Sequence, residues 1–291
     1  MERILNYNIP LEYENINILD FLKSRGYSHN VITLLKHTKN GILLNGHWCR
    51  IYDSIRAGDH LTIHLIETAA SDNIVPVSLP LSVIYEDQDL IVINKPAGMP
   101  IHPSQGNYDN TLANALAYYF ASRHLPFTFR CINRLDRDTT GLLIVAKHLL
   151  SGCLLSDMIA SRSIHREYLA LATGLTPPYG TIEAPIARVF GSTIEREVND
   201  IKGEYACTHY TRLEYKKGYS LVSLRLETGR THQIRVHMKY IGHPLPGDFL
   251  YNPDYSVLKR QALHSHRLNF THPVTGHPLS FTAPLPEDMI L

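Results

Sequence analysis

The chain has 291 residues, 44% of them hydrophobic, and a formal net charge of +1. This length predicts two domains, since about 150 residues per domain is usual. The near-neutral net charge excludes binding of nucleic acid through a strongly positive overall charge, so a nucleic acid would have to be bound by local basic patches. The four cysteines form no Cys-x-x-Cys pair, which argues against a disulfide framework and a cysteine zinc site. Without a basic-apolar leader or a run of about 18 apolar residues, we expect a soluble, unexported, cytoplasmic protein.

Residues 11–66 are predicted to form a compact unit of helices followed by strands. Ile18, Leu19 and Leu22 recur at helical spacing, and Ser28 is placed to cap a second helix. The pair Asn45-Gly46 predicts a tight turn, and the alternation from Leu61 to Leu65 predicts a half-buried strand.

This first unit also carries a basic stripe. No acidic residue occurs between Phe21 and Tyr52. The basic side chains in that interval are those of Lys23, Arg25, Lys36, Lys39 and Arg50. They would follow a phosphate backbone, although an ordinary solvated helix surface is the alternative. The series of two helices, basic stripe, Leu-Asn-Gly and closing Gly-Asp resembles the S4 RNA-binding domain, which would span residues 1–67.

Residues 68–80 lack a sustained period and are interpreted as a linker, and residues 81–291 as the second domain. Hydrophobic patterns there predict a hairpin over 81–94, helices over 111–120 and 149–159, and strands over 166–172 and 221–226. Residues 180–205 are interpreted as strands with a mobile loop around Arg188–Asp200, and a helix capped by Thr231 follows Gly229. Strands outnumber helices and the helices are irregularly interspersed, which favours a mixed, mainly antiparallel α+β sheet.

Asp136 is the first candidate for a reactive carboxylate. It lies in a charged loop that precedes the apolar run Leu142–Ala146, so a buried strand would hold it rigidly at a cleft. The neighbouring Arg134 and Arg137 would keep it ionised and nucleophilic. Two alternatives remain open from the residues alone: a surface ion-pair loop, and a metal site formed with Asp138.

Further candidates follow at three places in the second domain. Tyr168, within an apolar strand, could stack on a base or donate its hydroxyl, or simply pack half-buried. Arg235 could turn inward to pair with a buried carboxylate, while Arg230 near a helix start could meet phosphate. Five nearby histidines invite a zinc proposal, but their spacing matches no compact template: His232, His237, His243, His264 and His266.

Taken together, these segments resemble the pseudouridine synthases of the RluA/RluD type over nearly the whole chain. Residues 133–143, Asn-Arg-Leu-Asp-Arg-Asp-Thr-Thr-Gly-Leu-Leu, are similar to the catalytic motif of the family. Arg166-Glu167-Tyr168 is similar to its tyrosine motif, residues 226–237 with 243–248 to its third motif, and residues 260–264 to its fourth. Asn133 replaces the usual histidine and Thr140 the usual serine, which leaves open how the loop is braced.

The resemblance implies a cofactor-free and metal-free isomerisation of uridine in structured RNA to pseudouridine. Asp136 would open the glycosidic bond, by attacking C1′ or by removing the 2′ proton. Tyr168 would stack on the base and assist proton transfer, Arg235 would pair with Asp136, and Leu263 would cap the pocket. Arg134 would fill the gap left by the flipped nucleotide.

Two other classes of protein compete with this interpretation. One is an RNA-binding or ribosome-assembly factor with the same fold and no turnover, and the other is a metal-dependent glycosyl-transferring enzyme. The expected partner is ribosomal or transfer RNA, with no membrane involved, and a monomer is expected from the resemblance. Which uridine is modified depends on loop shape and RNA folding, which no short motif records.

Overall fold

The structure, a computed structural model, describes residues 1–290. The helices are α1 (Ile18–Ser24), α2 (His29–His37), α3 (Leu112–Ala121), α4 (Leu149–Ala160) and α5 (Gln233–Tyr240). The first strands are β1 (Glu2–Asn8), β2 (Ile42–Leu44), β3 (His47–Trp48), β4 (His60–Ile66), β5 (Val83–Glu86), β6 (Leu90–Lys95), β7 (Arg130–Cys131) and β8 (Thr140–Ala146). The remaining strands are β9 (His165–Thr173), β10 (Tyr179–Glu183), β11 (Ile186–Arg188), β12 (Arg196–Val198), β13 (Cys207–Lys216), β14 (Tyr219–Leu226), β15 (Leu263–Thr271) and β16 (Pro278–Thr282). No helix among residues 1–290 has the length and apolarity needed to cross a bilayer.

The N-terminal unit is a four-stranded sheet in the order β1-β4-β2-β3, with α1 and α2 packed on it. Asn17 and Ser28 cap the two helices by accepting backbone N–H groups, as the sequence predicts for Ser28. Strand β1 was not predicted because only Leu5 of its side chains is buried, so the alternation that marks a strand is weak.

The second unit is built on a ten-stranded sheet whose main path runs β10-β13-β14-β9-β15-β8-β6-β5. Every pair in it is antiparallel except β8 with β15, so the predicted mixed, mainly antiparallel α+β fold is confirmed. Strand β8 is buried at every residue and lies deep within the sheet, which makes the loop before it rigidly anchored.

The two units contact each other through ion pairs and a shared core. The guanidinium of Arg3 in β1 donates to both oxygens of the buried Asp89, at 2.8 and 3.0 Å. Glu67 accepts from Arg130 at 2.5 Å, and Leu150 of α4 packs into the core of the N-terminal unit. Residues 68–80 have no regular structure, and their backbone bonds to Phe127 and Asn114 fix them against the second unit.

One sequence prediction in the second unit was wrong in detail and another was incomplete. Residues 180–205 form strands as predicted, and the hairpin of β11 and β12 takes up part of the predicted mobile loop around Arg188–Asp200. Thr231 does not cap α5, whose N-cap is His232 in a left-handed conformation with φ of 58°. Strands β13, β15 and β16 were not predicted, although β13 pairs with the next strand, β14, and β15 with the next strand, β16.

Gly141 lies where β8 and β15 approach each other closely. Its φ is +106°, and a Cβ there would overlap the backbone of Ser265 in the neighbouring strand. Gly218 has a comparable φ of +87° but open space around it. Both substitutions place an alanine at positive φ, which costs roughly 1–2 kcal/mol, but only Gly141→Ala also overpacks the strands, so it should lower the free energy of unfolding by about 1–3 kcal/mol more than Gly218→Ala. Urea denaturation measures both, and equal losses would contradict the close approach of the strands.

Candidate active site

Asp136 lies in the loop between β7 and β8, and Asn133 braces the start of that loop. The Asn133 amide is buried; its oxygen accepts the Ile144 N–H at 2.8 Å, and its nitrogen donates to the Leu142 carbonyl at 3.4 Å. The side chain thus pairs with β8 in the way another strand would. This contact supplies a physical role for the residue that replaces the usual histidine.

Three other side chains also bond to this loop. The Lys95 ammonium donates to the Arg137 carbonyl at 2.7 Å, Gln261 donates to Thr139 at 2.9 Å, and Arg260 reaches the Asp138 carbonyl at 3.4 Å. Burial lowers the pKa of Lys95 to about 7, against the opposing effect of the nearby carboxylates. The backbone around Asp136 is therefore fixed by buried donors rather than left to solvent.

Thr140, which replaces the usual serine, bonds to His264 of the neighbouring strand β15. Its hydroxyl lies 2.8 Å from His264 Nδ1, and burial lowers the pKa of His264 to about 4. The imidazole is therefore neutral at pH 7, and this contact ties β8 to β15 without a charge.

Arg235 joins Asp136 to a second carboxylate. One guanidinium nitrogen donates to Asp136 Oδ2 at 2.8 Å, while the other two donate to Asp248, each at 2.7 Å. Arg235 and Asp248 are fully buried, and Asp136 retains 27% side-chain exposure. Burial opposes the charge on Arg235, yet the two carboxylates outweigh it and raise the pKa of the guanidinium. No hydrogen bond reaches Asp136 Oδ1 from residues 1–290, so this oxygen is free for a reacting group.

Helix α5 presents Arg235 because its first turn is fixed by Gln233. The Gln233 oxygen accepts from Thr228 at 2.7 Å and from the Arg230 N–H at 3.0 Å, and its nitrogen donates to Cys207 and Thr208. This side chain ties the start of α5 to the preceding turn and to β13, and no side chain in the described part of the chain caps the helix.

Asp136 and Arg235 face a cavity of about 490 Å³. The buried Tyr168 of β9 and Leu263 of β15 line it, and the exposed Arg134 stands at its edge. Adjacent strands β9 and β15 bring Tyr168 and Leu263 together although the chain separates them widely. Tyr168, Arg235 and Leu263, predicted from three other motifs, thus line one cleft with Asp136 and Arg134.

The predicted phosphate contacts lie in two places. Arg230 lines the cavity but forms an ion pair with Glu204 and donates to the Tyr205 carbonyl. Lys23, Arg25, Lys36 and Lys39 are exposed on α1, α2 and the turns that follow them. These four do not join the cavity and form a separate surface of the N-terminal unit.

Each of the five histidines considered for zinc bonds to a protein group. His232 contacts Tyr251, His237 contacts Thr208 and Ala184, His243 contacts Thr173, and His264 and His266 both bond to the Ala283 carbonyl. Within residues 1–290, ligand atoms converge instead in Cys207, His209 and Glu227, and in Asp87, Asp89 and His272. Both groups already have protein partners, since Glu227 pairs with Arg162 and Asp89 with Arg3.

No role was expected from the sequence for Lys95, Gln233 or Asp248. Lys95 is the last residue of a buried apolar strand, a position where an unpaired ammonium would be costly, and this was a signal in the sequence. Gln233 and Asp248 gave no local signal, because their partners are brought to them only by the tertiary fold.

Comparisons with known proteins agree with this geometry. Residues 89–240 match a family model described as RNA pseudouridylate synthase. The chain is 38% identical over 261 residues to ribosomal large subunit pseudouridine synthase D of Xanthomonas campestris, covering 85% of this chain and 78% of that one. It is 42% identical over 233 residues to the protein of that name in Zymomonas mobilis, covering 74% and 73%. The structure of human RNA pseudouridylate synthase domain containing 1 superposes with a TM-score of 0.59 and 28% identity, covering 72% of this chain and 84% of that one.

The bracing role of Asn133 can be tested by stability. Asn133→Ala leaves the Ile144 N–H buried without its side-chain partner, at a cost of roughly 1–3 kcal/mol, whereas the Leu142 carbonyl still accepts the Ser265 hydroxyl at 2.8 Å. We therefore expect about 1–3 kcal/mol less free energy of unfolding, measured by urea denaturation. Asn110→Ala is the matched control, since that amide is exposed and bonds only to Asn107. A loss as small as the control's would show that Asn133 does not brace β8.

Proposed function

This chain belongs to the RNA pseudouridylate synthase family and is an RNA pseudouridine synthase, an isomerase, and we propose that it acts on ribosomal RNA through Asp136. The observation that carries this assignment is the free oxygen of Asp136. One carboxylate oxygen is held by Arg235 while the other faces the cavity. A carboxylate fixed in this way is positioned for reaction without needing to reorganise.

The reaction requires only bonds within the substrate to be exchanged. Asp136 either attacks C1′ of the uridine or removes the 2′ proton, and the bond between N1 and C1′ breaks, leaving the uracil as an anion. The uracil rotates inside the cavity and C5 bonds to C1′, while the bond from Asp136 to C1′ breaks or the removed proton returns to C2′. N1 then gains a proton, and the hydrogen on C5 is lost to solvent. The cleft, lined by Tyr168 and Leu263, keeps the uracil beside Asp136 between these steps.

Tyr168, Leu263 and Arg134 are proposed to hold the nucleotide. Tyr168 is buried beside the cavity, which suits stacking on the base and assistance in the closing proton transfer. Leu263 covers the apolar side of the base. Arg134 is exposed at the edge, where a planar cation can stack in the gap left by an extruded nucleotide.

Asp248 is proposed as the residue that positions Arg235. It takes the bidentate side of the guanidinium and also accepts N–H groups from Leu250 and Tyr251, so it is held on both sides. In this orientation only Nη1 of Arg235 donates to Asp136. Asp248 therefore orients Arg235 so that it meets one oxygen of Asp136 and leaves the other unbonded.

Residues 1–67 are proposed to be an S4-like RNA-binding domain, joined through 68–80 to a catalytic domain of 81–291. The support is the pair of helices on a small sheet, with exposed Lys23, Arg25, Lys36 and Lys39 along them. Ribosomal RNA is favoured over transfer RNA because the named relatives are ribosomal large subunit enzymes. A monomer in the cytoplasm remains a prediction.

The role of Asp136 is tested by release of tritium from ribosomal RNA containing [5-³H]uridine. Asp136→Asn should reduce the single-turnover rate by about a thousandfold or more, because the amide is neither nucleophile nor base. Asp138→Asn is the matched control: its carboxylate lies two residues away and pairs with Arg137 at 2.9 Å, so its rate should stay within about threefold of wild type.

Each competing class predicts another outcome in the same assay. Equal background release from wild type and Asp136→Asn would identify an RNA-binding factor without turnover. Equal damage from both aspartate substitutions, together with loss of activity on chelation, would identify a metal-dependent enzyme.

The positioning role of Asp248 is tested with Asp248→Asn. Without that charge, Arg235 is free to move toward Asp136, and a displacement of about 1 Å can cost roughly a hundredfold in rate. We expect about a hundredfold lower single-turnover rate, while the RNA concentration at half saturation stays within about threefold of wild type. A rise in that concentration with an unchanged maximal rate would instead assign Asp248 to RNA binding.

A double substitution separates positioning from a purely structural role. If Asp248 acts through Arg235, adding Asp248→Asn to Arg235→Gln should change the rate by less than about threefold, since the group it positions is already gone. This pair also removes both buried charges, which favours folding over either single change. Additive losses would contradict the assignment.

A further inference from the structure

The N-terminal unit has a cleft, remote from the candidate active site, that the proposed reaction does not use. Apolar side chains of Leu35, Ile42, Cys49 and Ile51 lie along it, and its volume is about 220 Å³. That volume is below the roughly 300 Å³ at which pockets for drug-sized ligands begin, so a single flat group fits better than a large ligand.

Two exposed aromatic rings stand beside this cleft. Trp48, at the end of β3, is 64% exposed, and Tyr52 in the following turn is 67% exposed. Large aromatic side chains usually bury most of their surface, and exposed ones concentrate where a partner covers them. Neither ring belongs to the core of the N-terminal unit, so fold stability does not explain their presence here.

The charges around the cleft indicate which kind of partner it would bind. Lys36 and Arg50 line it, and the Lys36 ammonium lies 5.9 Å from the centroid of the Tyr52 ring. The acidic group nearest in sequence is Asp53, whose carboxylate accepts the Arg50 N–H and so faces its own turn. Cations interleaved with exposed aromatic rings are typical of surfaces that bind unpaired nucleotides, where the rings stack on bases and the cations meet phosphate.

We propose that this cleft binds an unpaired nucleotide of the RNA, with its base against Trp48 and Tyr52 and its phosphate near Lys36 and Arg50. The proposal rests on the proposed RNA-binding role of residues 1–67 and adds single-stranded character to the RNA they recognise. A second anchoring point on a fixed unit would restrict which uridines reach Asp136, since Arg3 and Asp89 hold the two units together.

Trp48 is the single tryptophan of the chain, so its fluorescence reports directly on the cleft. We expect saturable quenching when the full-length protein is titrated with a single-stranded oligonucleotide of about ten residues. A blunt RNA duplex of the same length should bind through its phosphates without comparable quenching. Unchanged emission at RNA concentrations that saturate binding by anisotropy, or equal quenching by the duplex, would overturn the proposal.

A second test measures the RNA affinity of substituted proteins by the anisotropy of labelled RNA. Trp48→Ala should weaken single-strand binding roughly five- to hundredfold, the range for loss of one stacked base, and Lys36→Gln should lower the slope of affinity against salt by roughly one. Tyr240→Ala, which removes another aromatic ring that is 61% exposed, is the matched control and should leave affinity unchanged. An affinity of Trp48→Ala equal to that of the control would overturn the proposal.

Activity measurements distinguish a failure of this proposal from a failure of the proposed reaction. Trp48→Ala should keep the maximal single-turnover rate on ribosomal RNA within about threefold while raising the RNA concentration at half saturation. If Asp136→Asn kept full activity, the proposed reaction would fail while the binding results at Trp48 would stand. If Asp136→Asn is inactive and Trp48→Ala binds normally, only the cleft assignment fails.

Discussion

The guanidinium of Arg235, held between Asp248 and Asp136, is the interaction on which the rest of the site depends. It joins the loop before β8 to helix α5 and to the turn at Asp248, three parts of the chain that meet only in the folded state. One cation between two carboxylates leaves a net negative charge. Because Asp248 takes the bidentate side, that charge remains available at the cavity as the unbonded oxygen of Asp136.

The surrounding fold supplies the rigidity that this arrangement needs. Asn133 pairs with β8 through its amide, and Lys95 holds the Arg137 carbonyl from the neighbouring strand β6. Both residues bond to backbone groups that would otherwise lack a partner. The loop is therefore held in place although no other element among residues 1–290 covers it. The same fold fixes the N-terminal unit through Arg3 and Asp89, and any RNA contact there keeps a constant distance from Asp136.

Some features could be predicted from the sequence because they depend on neighbours along the chain. The helix cap at Ser28, the Asn45-Gly46 turn and the α+β class follow from local patterns, and the candidate pairing of Asp136 with Arg235 followed from motif resemblance. Asp248 could not be predicted in this way, since a Gly-Asp pair is locally an ordinary turn. The cap predicted at Thr231 failed because the helix begins one residue later, after His232 in a left-handed conformation, and Gln233 fixes this start through contacts with Cys207 and Thr208. Trp48 gave no signal either, since exposure of a ring on a strand is decided by packing.

The central claim is that the carboxylate of Asp136 makes this chain an active isomerase on ribosomal RNA. The most direct measurement is to map pseudouridines in ribosomal RNA from cells that lack the protein and are supplied with wild type or with Asp136→Asn. We predict that defined uridines are converted with wild type and remain unmodified with Asp136→Asn, although both proteins are present at equal levels and bind RNA equally. Restoration of the same pseudouridines by Asp136→Asn would contradict the account.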